Sequence, residues 1–178
     1  FISGNKSDLI EVATFLAKAG YVVASINYRL LDITPTQLAF KQVVINAVVD
    51  MKAAVRYFNK DIATTNTYKI NTNNIFIGGY SAGAITALHY AYVNNTTELA
   101  TIGGSTFVDY VNSKEGLDGG SGNPTYSSKI KGVVNISGAL FNKNFINASE
   151  PALYSIHGTD DIVVPYLNGN INGTGIFT

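Results

Sequence analysis

Apolar positions return every three or four residues over 9–17, where Leu9, Val12, Ala13, Leu16 and Ala17 mark one side of a helix. Ser7 or Asp8 is placed to cap its start, and Gly20 to stop it. The pattern then changes. Residues 21–28 form a nearly continuous apolar run, as expected of a parallel strand covered on both faces. A long helical period follows, with Pro35 suited to its first turn. Its apolar side runs through Leu38, Val44, Ile45, Val48, Met51 and Val55 and ends near Asn59. After a polar, Thr- and Asn-rich connection over 61–73 come a short apolar strand at 75–79 and a helix over 82–93. Further buried strands are expected at 132–137 and 152–157. Between the helix over 82–93 and the first of these strands, residues 94–131 keep no clear period and have a Gly-rich centre at 115–124. They read as a surface excursion of the length that often covers a binding site.

Strands alternating with helices predict one α/β domain over 1–178, built on a mostly parallel sheet covered on both faces. Right-handed crossovers then collect the C-terminal ends of the strands on one edge, where ligands bind. Composition narrows the field of function. The 178 residues are 46% hydrophobic and 13% charged, and twelve basic side chains balance twelve acidic ones. A neutral chain without a Lys/Arg run offers no electrostatic ground for nucleic acid or an anionic membrane. No apolar run reaches the ~18 residues of a membrane span. The absence of cysteine excludes disulfides, thiolate metal sites and a cysteine nucleophile. Together with abundant Asn, Thr, Ser and Gly, it suggests an exported bacterial protein, secreted or periplasmic. The two histidines have no neighbours at metal-ligand spacing, and no phosphate-binding Gly-x-x-x-x-Gly-Lys is present, so no metal or cofactor is expected.

The chemistry is concentrated at Gly79-Tyr80-Ser81-Ala82-Gly83, a Gly-x-Ser-x-Gly between a predicted strand and a predicted helix. That context puts a serine on a strained corner that lifts its hydroxyl out of the sheet, beside the positive end of a helix. A serine needs a base, usually histidine, and a carboxylate to orient it. His157-Gly158-Thr159-Asp160-Asp161 leaves a later strand on the same edge, so either aspartate is placed to be that acid.

These pieces resemble the α/β-hydrolase fold carboxylesterases and lipases of bacteria. The similarity is carried by Asn27-Tyr28-Arg29-Leu30, Gly78 to Gly83, and His157-Gly158-Thr159-Asp160-Asp161-Ile162-Val163-Val164-Pro165, with Ser121 to Lys129 also similar to a loop of some such esterases. The resemblance implies an α/β-hydrolase core lacking its first strands and its last strand and helix. It implies Ser81 as nucleophile, the Ala82 N–H as one oxyanion donor and Asp161 as triad acid, because the family pattern is His-Gly-x-x-Asp-x-x-Val-Pro. It also implies a His-Gly-Gly-Gly-like stretch ahead of Phe1 and a catalytic histidine after Asp161, and residues 162–178 contain no histidine. His89 stands eight residues past Ser81, roughly 12 Å along one helix, and is expected to pack. His157 is expected two strands from the serine, roughly 10 Å away, bracing the acid loop. The reading is therefore a serine hydrolase of small-molecule or lipid-like carboxylic esters whose base lies outside these residues. A serine peptidase of the same fold and a non-catalytic binding domain remain as alternatives. Oligomeric state is not legible.

Overall fold

The computed structural model describes residues 1–31 and 36–171; the expected helix start at Pro35 lies outside them. A short 3-10 turn, Lys6–Leu9, leads into helix α1, Ile10–Lys18. The cap is Asn5 rather than Ser7 or Asp8. Its side chain accepts from the Ser7 N–H, while Asp8 reaches back to the Asn5 N–H at 2.8 Å, a reciprocal box that satisfies orphan donors. Gly20 ends the helix at φ +95°. On the apolar side of α1, Leu9, Val12 and Leu16 are exposed, and so is Phe15.

Residues 21–31 form no strand, contrary to expectation. A strand exists only through a ladder, and no described strand lies alongside this run, so Tyr21, Val22 and Val23 stay exposed. The segment is held by side chains instead. Asn27 and Ser25 bond the backbone of Lys6, and Arg29 grips Asp50 through its own N–H at 2.8 Å and its guanidinium at 2.8–3.0 Å. A further guanidinium N–H reaches the Asn46 carbonyl.

Asp50 and Asn46 belong to α2, Gln37–Ala63, capped by the Thr36 hydroxyl. Strand β1 is Phe76–Tyr80, helix α3 Ala82–Tyr92, helix α4 Thr96–Asn112, strand β2 Gly132–Ile136 and strand β3 Ala152–Ile156. The three strands are parallel in the order β1-β2-β3, with Tyr80 paired to Ile136 and Ile136 to Ile156. One core fills the space between α2, α3, α4 and the sheet, with Ile45, Val48, Leu88, Tyr92, Leu99, Phe107, Ile77 and Val133 at its centre. On the other sheet face Phe76, Tyr80 and Val134 are exposed, and β3, expected as a buried strand, is exposed along its length.

Helix α4 occupies part of the stretch expected to be irregular. Its start is a second reciprocal cap between Asn95 and Glu98. Its period is interrupted because Gly103 and Gly104 leave helical geometry, Gly104 at φ +71° and ψ −172°, a conformation open essentially to glycine. A Cβ on Gly103 would stand 2.6 Å from the Phe107 Cβ. The Gly-rich segment that follows is no open cover. Arg56 of α2, 2% exposed, donates to the carbonyls of Asp118, Ser121 and Gly122, and Lys52 binds Asp118 at 2.8 Å. Gly119 lies against Val49 and Gly122 against Ala53. Three donors in the fixed fork of one guanidinium thus tie the loop carbonyls to α2.

Candidate active site

Gly79 lets α3 leave β1 at close range. A Cβ there would come 2.3 Å from the Gly83 carbonyl carbon and 2.6 Å from the Ala84 nitrogen. The second glycine of the motif, Gly83, has open space around it, so the steric demand falls on Gly79 alone. Ser81, between strand and helix, takes φ +52° and ψ −116°, a strained conformation for a residue with a side chain. Two bonds hold it there: its N–H donates to the Ile136 carbonyl at 2.9 Å, and its carbonyl accepts from Ile85 at 2.9 Å. Ala82 opens α3, so the helix does not use its N–H, which lies at the positive end of the dipole beside the serine.

Asp161 lies on the loop after β3, on the same sheet edge, with β2 between it and Ser81. The loop folds back so that Val164 and Ile171 pack with Ile85 of α3 and Val44 of α2, one turn from the serine. Asp161 Oδ1 accepts from the N–H groups of Val163 and Val164, both at 2.9 Å. Those two bonds, with the nearby His157 ring, hold its carboxyl below the usual carboxylate range. Asp160 is exposed.

His157 braces this loop. Its Nε2 donates to the Val164 carbonyl at 2.8 Å and lies 3.4 Å from Asp161 Oδ2, while its ring meets Tyr166 edge-on. That nitrogen is committed to the acid loop and not to Ser81. His89 is buried two turns into α3, where its Nδ1 donates to the Ile85 carbonyl at 2.8 Å. Burial pushes its pKa down to about 4, so the ring is neutral. It borders a cavity of about 10 Å³ with Ile102, Phe107 and Phe141, room for about one water.

Sequence reasoning passed over Ser137. It directly follows β2 as Ser81 follows β1, and it shares the left-handed backbone, φ +51°. The available signal was a serine closing an apolar strand on the active edge. Among the described residues no group of three His, Asp or Glu is placed to hold a metal ion. None of the described helices is long and apolar enough to cross a membrane.

A parallel sheet with a serine on the corner into a helix, and a carboxylate two strands away on the same edge, defines the α/β-hydrolase core. The BD-FAE family matches residues 1–141, and the chain belongs to that family. Solved structures agree on the fold. Thermogutta terrifontis esterase 2 phosphorylated by paraoxon is similar at TM-score 0.66 and 19% identity, covering 93% of this chain and 57% of that one. The same esterase phosphoramylated by tabun gives 0.66 and 18%, and its apo form 0.65 and 19%, covering 58% and 59% of those chains. The chain thus spans less than two thirds of the length of these structures. No curated protein matches the sequence.

Proposed function

We propose that the protein hydrolyses carboxylic esters of small or lipid-like molecules with Ser81 as nucleophile. The observation that carries this reading is Ser81 itself, held at φ +52° on the strand-to-helix corner with the Asp161 carboxylate on the same edge. Ser81 Oγ attacks the ester carbonyl as a histidine beyond residues 1–178 takes its proton. Asp161 orients that imidazole and stabilises the imidazolium, a role suited to a carboxyl that stays ionised. The Ala82 N–H receives the developing oxyanion. The imidazolium returns the proton to the leaving alcohol. Water then attacks the acyl-serine by the reverse path, releasing the acid and restoring Ser81. The chemistry needs no metal or cofactor, and the cysteine-free composition supports an exported bacterial setting.

The test is hydrolysis by the full natural gene product of a short-chain ester against the matching aminoacyl amide. The ester is expected to have the higher kcat/KM, and Asp161→Asn to lower kcat about 10³–10⁴-fold. Preference for the amide would replace this reading with the peptidase one. Turnover of neither would favour a binding domain.

A further inference from the structure

We propose that Ser137 is a positioning residue of this site, its hydroxyl holding the imidazole that stands between Ser81 and Asp161 and takes the Ser81 proton. The proposal rests on the serine-hydrolase reading above. Its basis is the register of the sheet. Tyr80 pairs with Ile136 and Ile136 with Ile156, so the next residues, Ser81, Ser137 and His157, form a row along the active edge. The row is hydrogen-bonded: the Ser81 N–H donates to the Ile136 carbonyl and the Ser137 N–H to the Ile156 carbonyl, both at 2.9 Å. At ~4.8 Å per strand, Ser137 stands about 5 Å from Ser81, midway to the strand that delivers Asp161. An imidazole bonded at both nitrogens spans about 7–8 Å, two hydrogen-bond lengths and the ring. A ring linking Ser81 to Asp161 must therefore cross the end of β2, where Ser137 stands.

Ser137 is also held with unusual firmness. Asn135, 6% exposed, donates from Nδ2 to Ser155 Oγ at 2.8 Å and accepts the Gly138 N–H on Oδ1 at 2.9 Å. Gly138 is pressed onto the first turn of α3: a Cβ there would lie 2.5 Å from the Ala84 Cβ. The left-handed serine is thus fixed by its own N–H on one side and by the Asn135 clamp on the other. Backbone strain over-determined in this way is characteristic of functional positions. The hydroxyl is not spent on that structure. Ser113 bonds the Tyr110 carbonyl and Ser127 accepts from Lys129, whereas Ser137 Oγ bonds nothing among the described residues.

Its role follows from charge. When the imidazole takes the Ser81 proton, its far N–H, shared between the Asp161 carboxylate and the Ser137 oxygen, becomes a charged and stronger donor, which favours the imidazolium. The titratable groups around the row are Tyr80 at the end of β1 and His157, Asp160 and Asp161 after β3; the first turn of α3 carries none. Losing the hydroxyl therefore lowers the pKa of the base and moves the acid limb of activity to lower pH.

The experiment uses the full natural gene product, with rates of Ser81 labelling by a fluorophosphonate and of short-chain ester hydrolysis measured across pH. Ser137→Ala and Ser137→Gly both remove the hydroxyl, and glycine also relieves the left-handed strain. Both are expected to lower kcat about tenfold with KM unchanged, and to shift the acid limb down by about one pH unit. Ser137→Asn, which tolerates this backbone and carries an acceptor oxygen, should recover part of the loss. A glycine variant with wild-type kcat and limb, or with only KM changed, overturns the proposal while the hydrolase reading stands. A wild-type protein left unlabelled at Ser81 overturns both.

Discussion

Phe107 and Phe15 are both helical phenylalanines, yet one is 0% exposed and the other 72%. Phe107 sits in α4, locked under the Gly103–Gly104 break and against the face that α2 and α3 present to it. Phe15 sits in α1, whose apolar side meets solvent, beside the unpaired run 21–23. The local signals are good in both places: a reciprocal cap opens the turn that leads into α1, and another opens α4. What differs is the partner. An apolar stripe shows which side of an element is to be buried, but burial itself is a property of the assembled layers.

Substitution should make that contrast quantitative. Phe107→Ala empties a filled site and is expected to cost about 3–5 kcal/mol in urea unfolding. His89 gives the next effect, through pH. Its folded pKa of about 4 lies below its ordinary 6.5, so the unfolded chain binds the proton first. Stability present above pH 6.5 is then lost as pH falls towards 4, by up to about 3 kcal/mol, with no further loss from this group below that. His89→Gln should flatten that window in a Tm-against-pH series. Asp161, held below its ordinary 3.8, acts in a separate window: its contribution is present above that value and is lost as pH falls through its folded pKa. The smallest effect belongs to the other region. Phe15→Ser is expected to change stability by less than about 0.5 kcal/mol; a loss like that of Phe107→Ala would show that α1 is buried after all.

Legibility in the sequence follows the same division. The corner at Ser81 was readable because every requirement is local: an apolar strand, a Gly79 with no room for a Cβ, and a helix at once. The Asp161 loop was readable from its resemblance, and the two N–H groups that hold its carboxylate come from the next three residues. Helix α4 was missed because two glycines interrupt its period, though the Asn95–Glu98 box marked its start. The run 21–28 was misread because its pattern describes a strand and only a neighbour can make one. The loop clamp by Arg56 was out of reach, since its three carbonyl partners lie 62–66 residues away. Ser137 was missed for a related reason: nothing in its own segment is unusual until the register sets it beside Ser81.

The central claim is that Ser81 is an activated nucleophile, and an intact-mass spectrum tests it most directly. The full natural gene product, treated with a fluorophosphonate, is predicted to gain a single adduct that Ser81→Ala abolishes. An unmodified mass, or an adduct that survives in Ser81→Ala, would contradict the account.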